Sequence, residues 1–432
     1  MRKIIVSAFV LSLCISVNGQ SIDKIITSKK VTRIEKTLSA DDMQGRKTFT
    51  PGIDKASAFI ESEFKKAGLK TFMGAANFRQ EFFMTNSKTT ASKIIINGNE
   101  IDNSKIAVFS YQPQVSLTEK NDITVVKISK SDNLRQKFNE YLNGSKSYLV
   151  LVDDSFGKSL SNFQNIDKTK ANPGTNTVLF VFGVTEATTF SIELTNTISK
   201  KALNNVVGVL PGKSKPNEYV IFSAHYDHLG ISSPKDGAKT TDSIYNGAND
   251  DAAGSTAVIM LANYFKKQKN NERTIIFTTL VAEEMGGYGA KFFSKQLPAD
   301  KVIAMFNLEM IGTESKWGKN SAYITGFEKS NMGEILQRNL EGTAFKFYPD
   351  PYPKEQLFYR SDNATLARLG VPAHTISTSK MDDEPTYHTV NDEFETLDID
   401  NMTEVIKAIA LSSSSIINGK DTPSRVDTAQ LR

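Results

Sequence analysis

Tyr219-Val220-Ile221-Phe222-Ser223-Ala224-His225-Tyr226-Asp227-His228-Leu229-Gly230 is the stretch from which this chain is best read. An uncharged run too short for a helix ends abruptly in two histidines, an aspartate and a glycine. Such a run reads as a strand buried on both faces. Moving outward, the same form recurs. Thr274–Ala282 ends in Glu283-Glu284, Val302–Asn307 runs into Leu308-Glu309, and Ala373–Ser377 precedes a polar loop holding Tyr387-His388. Helical patterns at 253–268, 287–296, 331–341, 362–369 and 399–415 intervene. This alternation predicts an α/β fold, a mixed but mostly parallel sheet with helices on both faces. Sites in such sheets gather at the carboxyl ends of the strands, where these acids and histidines stand.

Away from this region the pattern changes. Residues 31–70 are helix-rich, with Ala56, Phe59, Ile60, Phe64 and Ala67 at helical spacing and Gly68 as a stop. From 86 to 203, short β-branched runs such as Ile123–Ile128 and Val178–Phe182 lie between polar clusters, which predicts a smaller, strand-rich inserted domain. Residues 420–432 read as a disordered tail.

The composition narrows the chemistry. The 432 residues carry 52 Lys or Arg and 48 Asp or Glu, a formal charge of +4, without the basic excess that nucleic-acid binding needs. One cysteine excludes thiolate-held zinc clusters and disulfide scaffolds. With only four histidines in the chain, any bound metal must take most of its ligands from carboxylates.

Met1-Arg2-Lys3 followed by the apolar run Ile4–Val17 reads as a signal peptide over residues 1–19. Its removal would take away Cys14 and leave a charge of +2 and no integral membrane segment. The protein is therefore expected to be exported, either periplasmic or secreted. No H-E-x-x-H or G-x-S-x-G motif is present, and Gly208 to Lys213-Ser214 is one residue short of a phosphate loop.

His225–Gly230, Gly247–Gly254, Glu283–Glu284, Asn307–Gly312 and Tyr387–His388, in this order, resemble the signature of the di-zinc aminopeptidase, glutamate carboxypeptidase II and transferrin-receptor family of metallopeptidases. The resemblance spans about 204–418. It includes Asn204–Gly212 at the entry to the sheet and the N-terminal stretch Leu38–Gly68. It implies a zinc-exopeptidase-like fold in which 20–85 and 204–419 form one catalytic domain. The 86–203 insert would lie where many members carry a protease-associated domain.

The same resemblance implies two zinc ions bridged by Asp250, one held by His225 and Glu309, the other by Glu284 and His388. Two nearby cations need an anionic bridge between them. Asp227 would orient His225. Glu283, an unligated carboxylate, would act as general base. Tyr387 would stabilise the developing oxyanion. Glu309 departs from the family's usual Asp by one methylene. His228 reads as wall-lining, His374 as a satisfied core histidine, and Ser361-Asp362 as a helix N-cap. Asp382, Asp383 and Glu384 read as a solvated acidic loop.

The expected activity is exopeptidase hydrolysis of peptide substrates, most simply by an aminopeptidase, with a carboxypeptidase also open. A glutaminyl cyclase-like acyltransferase using one zinc and a non-catalytic receptor-like protein are the alternatives. The complete double ligand set and Glu283 speak for hydrolysis.

Overall fold

The uncharged runs become strands because their apolar side chains point alternately to two faces, and only a cover on both sides can bury them. A computed structural model describes residues 21–232 and 242–431. The expected signal peptide lies outside the described residues. The chain divides into two units. One contains the described residues up to Gln80 and those from Asn204 onward, and the other is Glu81–Leu203.

In the first unit the strands are β1 (Phe190–Leu210, of which Asn204–Leu210 belongs here), β2 (Lys215–His225), β3 (Arg273–Leu280), β4 (Val302–Leu308), β5 (Ser321–Ile324), β6 (Lys346–Pro349) and β7 (Ala373–Ser377). Their order across the sheet is β6-β5-β7-β4-β2-β3-β1. β2 runs parallel to β3 and β4, β4 to β7, and β5 to β6. β3 with β1 and β5 with β7 are antiparallel. The architecture is thus the mixed, mostly parallel α/β sheet expected.

On one face Phe222 stacks with Phe277 and Phe306 across the neighbouring strands and with Phe265 of the helix α1 (Ala253–Gln268). On the other, Ile221, Ile276 and Met305 pack with Ala290, Phe293 and Leu366. Alternate residues of one strand therefore serve two separate cores. Because β2, β3, β4 and β7 are parallel, their carboxyl ends lie along one edge of the sheet.

The second unit contains a four-stranded sheet of Ile106–Ser110, Thr177–Phe182, Ser147–Val152 and Ile123–Ile128, in that order. An aromatic cluster of Phe109, Phe138, Phe163 and Phe180 fills one side. Leu149, Leu151, Leu179 and Val181 face Ile192 and Leu194 on the other. This strand-rich unit also has a helix over Leu134–Leu142, which supplies Phe138. Among the described residues no helix is long and apolar enough to cross a membrane.

The disordered tail expected over 420–432 is corrected for the described residues up to 431. The buried Arg273 guanidinium donates to the carbonyls of Ile416 and Asp421, both 2.6 Å, and to the Thr422 hydroxyl. Arg425 donates to the Val302 carbonyl at 2.8 Å, and Val426 N–H bonds to Gly370. A polar segment with little apolar surface is ordered here by arginine-to-backbone bonds, which leave no hydrophobic pattern to read.

Candidate metal centre

Three of the five expected ligands lie at or just beyond a strand end, and the other two come from a helix entry and a loop. His225 is the last residue of β2, and Glu309 follows β4 directly. Glu283 and Glu284 stand three and four residues beyond β3, while Tyr387 and His388 lie in the loop after β7. Asp250 belongs to the turn leading into α1. There Gly254 must be glycine, since a Cβ would collide with the Leu308 carbonyl and lie 2.5 Å from the Asp251 carboxylate.

The structure brings Asp250, Glu283, Glu284, Glu309, Tyr387 and His388 together in one cleft, with His225 buried beneath it. Asp250 is the hinge of the arrangement. Its Oδ1 lies 3.1 Å from His225 Nε2, and its Oδ2 lies 3.2 Å from His388 Nε2. His225 Nε2 is also 3.1 Å from Glu309 Oε1, and His388 Nε2 is 3.3 Å from Glu284 Oε1. One carboxylate therefore offers one oxygen to each of two His–carboxylate pairs.

The donor set fits zinc. Zinc bonds of about 2.0–2.1 Å place neighbouring ligand atoms ~3.4 Å apart in a tetrahedron, close to the separations of 3.1–3.3 Å here. Among the described residues lining the cleft, Arg360 is the only Lys or Arg, against four carboxylates. Such a concentration of buried negative charge calls for cations.

The electrostatics of the protein alone point the same way. Burial would push Asp250 up, but the hydrogen bonds of His225 and His388 outweigh it and hold the carboxyl well below the ordinary range. Burial of Glu284 is likewise overcome by His228 and His388, bringing it down to about 2. Glu283 is the exception. Its burial prevails, aided by the nearby charges of Glu309, Asp362 and Glu284, and raises it well above a normal glutamate. A carboxylate whose basicity is raised beside ligands whose basicity is lowered suits proton transfer.

Tyr387 lies flat on the His388 ring, with centroids 4.0 Å apart and planes inclined by 20°. Burial, together with the Asp250, Glu284 and Glu309 carboxylates, raises its phenol, so the group remains a hydrogen-bond donor.

Asp227 orients His225 differently from expectation. His225 Nδ1 meets the Asp227 backbone carbonyl at 3.0 Å, while the carboxylate oxygen Oδ1 is 4.0 Å from that nitrogen. The carboxylate instead accepts the Glu283 N–H at 3.1 Å. With Nδ1–H donated to a carbonyl, Nε2 is the nitrogen left to face Asp250 and Glu309. The side-chain bond links the β2 loop to the Glu283 loop, a use invisible from the two-residue spacing.

His228 does more than line a wall. Its Nδ1 is 2.9 Å from Glu284 Oε1, so it holds one of the expected ligands. His374 is buried and satisfied, with Nδ1 donating to the Thr325 carbonyl at 2.9 Å and Nε2 meeting the Ser330 hydroxyl at 2.7 Å. The expected Ser361-Asp362 cap is corrected. Neither side chain caps the short helix Asn363–Ala367; Ser361 donates to Glu309 Oε2 at 2.6 Å, and both Asp362 carboxylate oxygens are buried without a hydrogen-bond partner. Asp382 and Asp383 are exposed, whereas Glu384 turns inward to accept from Ser379 and the Lys380 N–H.

Three supporting residues escaped the sequence reading. Asp251 accepts backbone N–H groups of His225, Gly254 and Met310. Asp392, four residues beyond His388, accepts those of Asn249 and Asp250. Buried Arg46 donates to the carbonyls of Leu38, Tyr226, Asn246 and Gly247, tying the two ligand loops together. The only sequence signal for the first two was an acid close to a ligand. For Arg46 it was membership of the Leu38–Gly68 stretch.

Residues 205–412 match the model of peptidase family M28. The chain carries a peptidase M28 domain. A zinc aminopeptidase from Bacillus subtilis has the same fold, with a TM-score of 0.55 at 15% identity over 93% of this chain and 98% of that one. An aminopeptidase from Aneurinibacillus sp. strain AM-1 gives 0.53 at 18% identity, over 91% and 95%. Among curated sequences, a protein from Trichophyton verrucosum named "Probable leucine aminopeptidase" is 26% identical over 47% of this chain and 54% of its own length. A Leptosphaeria maculans protein named "Probable zinc metalloprotease" is 30% identical over 26% of this chain and 25% of its own. The chain spans about half the length of the leucine aminopeptidase-type relatives it matches. The M28 match covers the four parallel strand ends and all five expected ligands.

Proposed function

We propose that this protein is an exported, zinc-dependent exopeptidase that releases residues from the amino end of peptides, using two zinc ions. The observation that carries the reading is the division of Asp250, one oxygen toward His225 with Glu309 and the other toward His388 with Glu284. A single-zinc acyltransferase needs only one such set. Export rests on the basic start and apolar run of residues 1–19. His225, Asp250 and Glu309 would hold one zinc, and Asp250, Glu284 and His388 the other.

Bound zinc supplies Lewis acidity, polarising a carbonyl and acidifying water. The remaining work belongs to the protein. Glu283 takes the proton of the attacking water on its carboxylate and delivers it to the leaving amine nitrogen. Its raised basicity favours holding that proton in between. Tyr387 donates its O–H to the oxygen that gains charge as the carbonyl becomes tetrahedral. Asp227 keeps Glu283 in place through its N–H and fixes His225 through its own carbonyl.

A panel of amino-acid arylamides, amino-blocked peptides and carboxyl-blocked peptides, assayed with and without a chelator, tests the reading. Chelator-sensitive cleavage of arylamides and carboxyl-blocked peptides, with amino-blocked peptides spared, is expected. Cleavage requiring a free carboxylate would make it a carboxypeptidase, and chelator-resistant cleavage would remove zinc from the mechanism.

A further inference from the structure

The second unit holds a cavity of about 310 Å³ that takes no part in the chemistry described so far. It lies between residues 89–92 of the strand Arg79–Ile96, the strand Ile106–Ser110, and the segment carrying Gln164 and Lys168. Its volume falls at the lower end of the range for small-molecule sites, ~300–1,000 Å³.

One wall is a strand edge. Ile106–Ser110 is the outermost strand of its four-stranded sheet, and among the described residues it pairs only with Thr177–Phe182. In an antiparallel pair, successive residues turn their N–H and C=O alternately toward the partner strand and away from it. Ile106 and Ser110 face away, since their carbonyls accept from the Gln164 amide at 2.9 Å and from the Ser87 hydroxyl. Val108, midway between them, faces the same way and lines the cavity with no strand paired to its outer edge.

The opposite wall has spent its hydroxyl protons. Thr89 donates to Asn196 Oδ1 at 2.8 Å, Thr90 to the Thr195 carbonyl at 3.2 Å, and Ser92 to Asn103 Oδ1 at 2.7 Å. The groups left over are donors: the Asn103 amide N–H, the second Gln164 N–H, the Val108 N–H and the Lys168 ammonium. Lys168 is the sole charged residue among the described residues lining the cavity. It is half-buried, 5.3 Å from the centre of the Phe109 ring, and burial without an offsetting acid pushes it below the ordinary lysine value. A partly desolvated cation beside unused N–H groups is the complement of a group that accepts only and carries one negative charge. A phosphate dianion would bring a second charge with no partner.

We infer that this cavity binds the carboxylate of a free amino acid or of a short peptide, with Lys168 as its charged anchor. Val108 offers its N–H and C=O to an amide of the ligand, as a neighbouring strand would.

Isothermal titration calorimetry of the full-length protein tests this. The probes are alanine, N-acetylalanylalanine, the carboxamide of the latter, and inorganic phosphate. Wild type is compared with Lys168→Met, which keeps the length of the stem, and Lys168→Arg, which keeps the charge, each first checked for native circular dichroism. At least one of the two acids should bind saturably to the wild type, the tighter one identifying the source of the carboxylate. The carboxamide should bind about 10–100-fold more weakly than N-acetylalanylalanine if the peptide is the ligand. Lys168→Met should weaken the acid by about 10–100-fold, and Lys168→Arg should retain it.

Binding that persists in Lys168→Met belongs to another surface, the candidate metal centre included, and overturns the assignment. Phosphate binding as tightly as the acid, or no saturable binding of either acid, overturns it as well. Should Lys168→Met not fold, Gln164→Ala at an exposed position decides instead: weakened binding of the acid supports the site, and unchanged binding overturns it.

Discussion

The two halves of the candidate metal centre are built by different means. His225 terminates a central strand with its side chain only 1% exposed, and its partner Glu309 continues the neighbouring strand. Both are located by the register of the sheet. His388 is 35% exposed and comes from a loop, with Tyr387 stacked on it and Glu284 held by His228. This outer half depends on loop-to-loop hydrogen bonds, above all Asp392 to the Asn249 and Asp250 N–H groups. The inner half is set by the architecture and the outer half by polar contacts laid over it.

The contrast can be broken most completely at the residue both halves share. Asp250→Ala should abolish binding of both zinc ions and lower kcat/KM by ~10³-fold or more. Loss of a single ion by metal analysis would separate the halves and refute the bridge. Glu283→Gln leaves both ligand sets intact. It should keep two zinc ions while kcat falls by about 10²–10⁴-fold, and unchanged turnover would remove Glu283 from proton transfer.

His228→Ala sharpens the comparison from the outer side. Without the Nδ1 contact to Glu284, zinc affinity at the outer half should fall by about 10–100-fold, with the inner half unaffected. Equal weakening at both sites would mean that the halves are not independently supported. The smallest effect concerns the sheet beneath them. Burial pushes His374 on β7 down to about 4 from its ordinary 6.5. The unfolded chain therefore takes up this proton first. The stability that neutral His374 contributes is complete above pH 6.5 and is lost as pH falls toward 4. Between pH 6.5 and 5 the metal-free protein should lose about 1–2 kcal/mol on this account. Denaturant unfolding of wild type and His374→Asn would show the slope only in the former if the assignment is correct.

Much of the fold was legible because its signals are local. An apolar run such as Thr274–Ala282 can hardly be anything other than a covered strand when helical patterns flank it on both sides. That these acids and histidines would gather in one cleft was legible for the same reason, since His225, Glu284 and Glu309 stand at or just after such runs, His388 in the loop after another, and Asp250 at a helix entry. Asp227 shows the limit. Its position beside His225 was apparent, but the choice between its carbonyl and its carboxylate depends on where the Glu283 N–H lies, 56 residues away. The insert was legible as strand-rich, while the Arg273 bonds that order the C-terminal tail were not.

What the amino-acid sequence determined alone was the sheet, the edge on which chemistry collects, and the acids and histidines available there. These follow from periodicity and burial, which neighbouring residues decide among themselves. Tertiary structure decided which atom meets which. Arg46 reaches carbonyls 180 and 200 residues away, and Ser361 closes on a carboxylate 52 residues back. A hydrogen bond is made or lost over a few tenths of an ångström, and only the assembled strands and loops set distances that finely.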